Sequence, residues 1–372
     1  MTDSTAPASS AVYYSGNYWN NRDEVIDYLN RRATGDEKVP WWQHLRTWHG
    51  RPFERLLAFN CGNGWVERDL LSRDVARSAI GLDIGDDLLA MARAEAERAG
   101  LPIEYRKVDT NTFPFDLEGV DCVVNYAAGH HVAYIDRVFR RLADMLGPDG
   151  VFVSWDYTGP HRNQYSAGNW EAILAVHDSL PAHLRRDLVY PHLPTMLATD
   201  PTEAIHSELI LATLERYFDI VHLRHLGGPI AYEVLTFNDG FFDPSIDATA
   251  ELRQVIAADE AYTDADPAGR SLFTYVVATP KREPIDPELL AGWTAEEDER
   301  ERAAAAQGGI YYPPTLIGSL TERVERLERE LHPAPPPVPG PIERAGRLAD
   351  RVARRAGREV RTRIGGATTP KR

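Results

Sequence analysis

The chain has 372 residues, enough for two or three average domains or for one elaborated α/β unit. Its content of 43% hydrophobic and 26% charged residues is ordinary for a globular protein and excludes disorder across the whole chain. Basic less acidic residues, 41 − 56, leave a formal charge of −15, so the surface as a whole repels phosphate backbones and nucleic acid is not an expected partner. The only cysteines, Cys61 and Cys122, lie in apolar runs without CxxC or Cys/His spacing. Neither a disulfide framework nor a metal site is therefore expected, and a reducing, cytoplasmic setting fits. No window approaches the roughly 18 apolar residues of a spanning helix, and residues 1–10 are small and polar, so neither export nor membrane insertion is expected.

In chain order, residues 1–54 form an N-terminal segment rich in aromatics, among them Trp19, Tyr28, Trp41 and Trp42, around a helical stretch at 23–32. They read as a helical flap placed to cover a site. Residues 55–157 alternate short apolar strands (55–60, 79–84, 103–107, 120–125, 151–157) with helices (65–71, 88–99, 132–146), the rhythm of a parallel sheet with helices on both faces. Residues 158–280 read as a mostly helical insertion to 215, a strand at 217–226, helices near 229–239 and 249–262, and a last strand at 272–279, together building an acceptor pocket.

A helical segment at 281–332 follows. In it Ile317, Leu320, Val324, Leu327 and Leu331 step by three and four, a two-heptad seam that predicts homodimer contact over 316–331. Residues 333–341 are a proline-rich spacer. In 341–372, ten basic and three acidic residues give +7, against −22 elsewhere. The apolar stripe from Ile342 to Ile364 makes 342–372 a basic amphipathic tail suited to the inner membrane surface or an acidic partner.

The central motif is the strand running through Leu57, Ala58 and Phe59 into Asn60, Cys61, Gly62, Asn63 and Gly64, with a helix opening at Trp65. Glycine lets the backbone approach a ligand, and the helix N-terminus presents unpaired N–H groups. Asp83, followed by Ile84, ends the second strand about twenty residues later, where a carboxylate can accept from both ribose hydroxyls of an adenosine. Asp109 and Thr110 follow the third strand, within reach of the adenine amino group. A nicotinamide fingerprint needs glycine where this turn has Asn60 and Trp65, and no GxxxxGK[ST] occurs.

With these residues in place, 56–157 resembles the class I, Rossmann-like S-adenosylmethionine-dependent methyltransferases, whose first motif runs Leu-Asp-Leu-Gly-Cys-Gly-Thr-Gly and aligns with Leu57 to Gly64. The segments Tyr28-Leu29-Asn30-Arg31-Arg32 and Asp156-Tyr157-Thr158-Gly159-Pro160 are similar to parts of bacterial methyltransferases of glycan and natural-product pathways. The resemblance implies a doubly wound, mostly parallel seven-stranded sheet, S-adenosyl-L-methionine as cofactor, and methylation of a small-molecule or glycan acceptor. Two departures stand out: Ala58 replaces the motif acid that orients the methionine amino group, and Asn60 replaces its first glycine. Either backbone carbonyls near Asn60 and Asn125 replace the acid or donor binding is weakened, and Arg31 or Arg32 is expected to grip the donor carboxylate.

A sulfonium methyl is already electrophilic, so transfer mainly needs in-line positioning, while a hydroxyl acceptor also gains from a base. His131, then His130, follow the fourth strand at the edge where acceptors bind in doubly wound folds. Tyr157, Asp156 and His161 leave the fifth strand at the same rim and are secondary candidates. The loop Asn125-Tyr126-Ala127-Ala128-Gly129 lacks the Pro-Pro-aromatic clamp of enzymes that methylate base amino groups. The competing readings are a donor-binding or assembly protein that has lost catalysis through Ala58, and a nucleic-acid methyltransferase.

Overall fold

The computed structural model describes residues 16–306 continuously, together with 321, 324–327 and 329, which are helical. Residues 1–322 form one compact unit and 323–372 a second. Most of the predicted heptad seam, the proline-rich spacer and the basic tail lie outside the described residues.

Seven strands make one sheet in the order β3-β2-β1-β4-β5-β7-β6. They are β1 (Leu56–Phe59), β2 (Ala79–Asp83), β3 (Ile103–Lys107), β4 (Cys122–Tyr126), β5 (Val151–Tyr157), β6 (Phe218–Gly227) and β7 (Phe273–Pro280). The first five run parallel, and β7 pairs antiparallel with both β5 and β6. Every residue of β1, β2 and β5 is buried, as expected for strands covered on both faces. Alternate residues serve different cores: Leu56 and Ala58 face one, Leu57 and Phe59 the other.

The helices are α1 (Asp23–Thr34), α2 (Trp41–His49), α3 (Trp65–Ser72), α4 (Asp86–Ala99), α5 (Ile135–Leu146), α6 (Ala167–Ser179), α7 (Leu193–Thr199), α8 (Ile210–Tyr217), α9 (Ala231–Leu235), α10 (Thr249–Asp264), α11 (Pro267–Arg270) and α12 (Pro287–Ala306). In α5, Ile135, Val138, Phe139, Leu142 and Leu146 recur at helical spacing and are all buried. Burying five such side chains contributes on the order of 10 kcal/mol before conformational entropy is subtracted.

Two expectations need correction. The flap helix α1 does not cover the motif turn: it packs on the edge strand β6 and on α10, where the Tyr28 hydroxyl donates to Asp259 at 2.8 Å. Nor does the unit built on the sheet close near residue 280. The buried Glu297 of α12 accepts the backbone N–H of Asp136 at 2.9 Å and of Arg137 at 3.3 Å, capping α5, while Trp293 packs edge-on against Tyr217. Sequence periodicity in α12 is weak because its hold on the core is this buried carboxylate rather than an apolar stripe.

Candidate active site

The parallel strands end on one rim, and the motif turn leaves it from β1. Asn60 has φ 48°, a left-handed conformation that asparagine tolerates better than most residues. Its side chain joins three strand ends: Oδ1 accepts from the Thr110 hydroxyl at 2.5 Å, and Nδ2 donates to the Ala128 carbonyl at 3.1 Å. Cys61 N–H donates to the Leu82 carbonyl at 2.9 Å, which holds the turn against β2. Gly64 has φ 74°, and a Cβ there would collide with the Tyr105 hydroxyl. The close approach that this glycine permits is therefore to a core tyrosine. Asn63 Oδ1 accepts from Trp65 N at 3.2 Å at the opening of α3.

Asp83 ends β2 almost buried. Its Oδ2 accepts from Gly62 N–H at 2.7 Å and its Oδ1 from Gly85 N–H at 2.8 Å. Two backbone donors occupy half of a carboxylate's roughly four acceptor sites, and the rest remain for ligand hydroxyls. Ile84 beside it is 65% exposed, an apolar surface for a flat ring. Asp109 is exposed, with one oxygen held by the Asn111 backbone at 2.9 Å. Asp83, Ile84, Asp109 and the 60–64 turn could together hold an adenosine.

Elsewhere the expected donor contacts are corrected. Arg31 pairs with Glu260 at 2.5 Å, and Arg32 pairs with Asp264 at 2.5 Å and donates to the His225 carbonyl. His225 is on β6, four strand spacings from β1, or roughly 19 Å. Neither guanidinium reaches the turn. Asn125 is fully buried and committed: Nδ2 donates to Ser154 Oγ at 2.9 Å and Asp156 Oδ2 at 2.8 Å, and Oδ1 accepts from Gly129 N at 2.6 Å. Ala58 lies buried in the core, and the Ala128 carbonyl already receives Asn60.

A second polar group forms beyond β4, where Gly129–His131 makes a single 3-10 turn. His130 Nδ1 lies 2.6 Å from Asp156 Oδ1 and its Nε2 lies 3.7 Å from Glu203 Oε2. His131 Nδ1 lies 3.1 Å from Thr202 Oγ1, and its Nε2 is 3.8 Å from the same Glu203 oxygen. Arg162, buried with φ 55°, holds that loop by donating to the carbonyls of Pro201 at 2.6 Å and Glu203 at 3.0 Å. Ile205 N–H ties it to the His130 carbonyl at 3.0 Å.

Burial disfavours charge on His130, but Asp156 and Glu203 outweigh it and lift the imidazole to about 10. Burial also works against the Glu203 carboxylate, yet His130 holds it down at about 2. His131 is lowered by burial and by the charge on His130, which keeps a free lone pair on the ring. Asp156 thus positions His130 instead of meeting substrate. The Tyr157 hydroxyl donates to the Pro160 carbonyl at 3.0 Å and is pushed far up by burial, which removes it as a base. His161 is buried beside Glu208 and His206. Where β4 ends and α3 begins stands an aromatic wall in which Tyr126 meets Trp65 at 5.1 Å, Trp41 at 5.9 Å and Trp155 at 6.4 Å.

Sequence reasoning missed Asp200, Thr202, Glu203 and Arg162. The first three sit in a loop with no motif, and only the fold carries them to His130 and His131.

A doubly wound sheet with an acid-braced glycine turn after β1 is an arrangement in which nucleosides bind at the strand ends. Residues 57–154 match the family profile described as a methyltransferase domain. A ubiquinone biosynthesis O-methyltransferase of Ruegeria pomeroyi is 34% identical over 133 residues, 34% of this chain and 49% of that protein. Another from Paramagnetospirillum magneticum is 35% identical over 106 residues, 28% of this chain and 41% of that protein. The chain spans about half or less of the length of the curated relatives it matches. A solved S-adenosylmethionine-dependent methyltransferase of Mesorhizobium loti is 20% identical, covering 65% of this chain and 97% of its own, with a TM-score of 0.39. Over residues 57–154 the chain thus carries a methyltransferase domain, similar in sequence to the O-methyltransferases of ubiquinone biosynthesis. No helix among the described residues is long and apolar enough to cross a membrane.

Proposed function

We propose that the chain binds S-adenosyl-L-methionine at the 60–64 turn and transfers its methyl group to a hydroxyl of a small-molecule or glycan acceptor. The observation that carries this reading is Asp83, whose carboxylate braces Gly62 and Gly85 while keeping acceptor sites for ribose beside the exposed Ile84. The O-methyltransferase names of the curated relatives support oxygen as the acceptor atom. The His130, His131 and Glu203 cluster on the same rim receives the acceptor hydroxyl, and His131 Nε2 takes its proton in the ion-free site. The oxygen lone pair then forms the O–CH3 bond as the C–S bond breaks, its electron pair going to sulfur to leave the neutral thioether. Attack is in line, and the aromatic wall keeps water from competing.

Calorimetry with the donor and with its demethylated product tests this. Wild type should bind both, and Asp83→Ala should bind at least tenfold more weakly while melting as a folded protein. Unchanged affinity in that variant, or preference for a nicotinamide nucleotide, overturns the reading.

A further inference from the structure

Beyond β4, two imidazole ε nitrogens and one carboxylate oxygen converge; without an ion His130 Nε2 carries the proton that Asp156 and Glu203 stabilise, and a bound cation takes the place of that proton. The single hydroxyl proton of Thr202 goes to Asp200 Oδ1 at 2.7 Å, so Thr202 Oγ1 accepts from His131 Nδ1–H at 3.1 Å. Asp156 Oδ1 already accepts the Tyr157 N–H at 2.8 Å and is the acceptor for His130 Nδ1–H at 2.6 Å. With both δ nitrogens committed as donors, both ε nitrogens are left to face Glu203. They stand 3.7 and 3.8 Å from one oxygen, Glu203 Oε2. Those gaps are too long for hydrogen bonds. They are a few tenths of an ångström wider than the about 3.4 Å between ligands of a tetrahedral ion with bonds of about 2.1 Å.

We propose that His130 Nε2, His131 Nε2 and Glu203 bind one divalent cation of the zinc class. The proposal rests on the reading of this cluster as the acceptor site and deepens it. Two imidazoles and a carboxylate suit zinc or cobalt, whereas magnesium and calcium prefer all-oxygen sets. Asp156 behind His130 and Thr202 behind His131 are the outer partners that orient ligating imidazoles. Three carboxylates, Asp156, Asp200 and Glu203, surround the rings and outnumber the one nearby guanidinium, that of Arg162, which donates to the Pro201 and Glu203 carbonyls and acts on Glu203 through its charge. Local charge therefore favours a cation. The side chains of His131 and Glu203 are 28% and 24% exposed, which leaves a fourth position reachable from solvent. An acceptor hydroxyl in that position becomes acidic and loses its proton to water, so that its oxygen attacks the methyl carbon as an alkoxide. Spacing could not reveal the site, because Glu203 comes from the inserted region and the histidines from the nucleotide-binding half.

The test uses the untagged full-length chain, dialysed against chelator and titrated with Zn2+ by calorimetry and with Co2+ by visible absorption. One ion per chain is expected, with a cobalt spectrum of four- or five-coordinate geometry and no comparable binding of Mg2+. His131→Ala and Glu203→Gln should each weaken binding at least tenfold. Asp156→Asn, which leaves all three ligands in place, should weaken it measurably. Donor affinity and melting temperature report whether each variant is folded. Absence of stoichiometric Zn2+ and Co2+ binding in folded wild type overturns the proposal, as does binding that survives His131→Ala and Glu203→Gln together. Chelated protein that methylates at the full rate while His131→Ala does not also overturns it and leaves the proton-accepting role of His131 standing. Loss of donor binding in Asp83→Ala bears only on the methyltransferase reading.

Discussion

Asn60 shows how a departure from a motif is absorbed at one residue. A non-glycine side chain at φ 48° costs backbone energy, which its bonds to Thr110 and Ala128 offset. Asn60→Ala keeps the strained conformation and removes both bonds, so it should lose about 2 to 3 kcal/mol in urea denaturation. Asn60→Gly removes the bonds but relieves the strain, and should lose about 1 kcal/mol. Equal losses would mean that the side chain does not hold the turn. At the same scale, the sequence located His130, His131 and Asp83 at the rim but misassigned Arg31 and Arg32. Both are polar residues in a motif segment, and which partner a polar side chain takes depends on tertiary contacts. Arg31 and Arg32 found carboxylates on α10.

Among the elements, the strands of the sheet were legible to within a residue or two. Parallel strands are continuous apolar runs bounded by turns, a pattern that depends little on partners. The helix α12 was less legible, because the role of Glu297 as cap to α5 exists only in the folded chain. Glu297→Ala strands two backbone N–H groups at a helix start beneath α12. It should cost about 2 to 3 kcal/mol and raise hydrogen exchange across the first turn of α5. Glu297→Gln, which keeps an acceptor oxygen, should cost less than half as much. A silent alanine variant would show that α12 is held by Trp293 and its neighbours instead.

For the molecule as a whole, buried histidines set the response to acid. Burial, with His206 beside it, lowers His161 from 6.5 to about 3. The folded state resists protonating a group that the unfolded chain protonates freely. The contribution of His161 is complete above pH 6.5 and is lost as pH falls from there towards 3. Because other groups titrate too, the informative quantity is the stability difference between wild type and His161→Gln. That difference should shift by about 2 kcal/mol against the wild type between pH 7 and pH 5. A difference independent of pH would place His161 in contact with water.

The loop holding Glu203 is fastened to the first histidine through Ile205 and braced from within by Arg162, yet it belongs to the inserted region and not to the sheet. Donor recognition and acceptor handling are thus encoded in different stretches of chain that share one seam. A chimera that exchanges residues 158–217 for the corresponding stretch of a relative should keep its hold on the sulfonium donor, since Asp83 and the 60–64 turn are untouched. It would acquire a new substrate preference only if the incoming loop restores a carboxylate opposite the histidine pair.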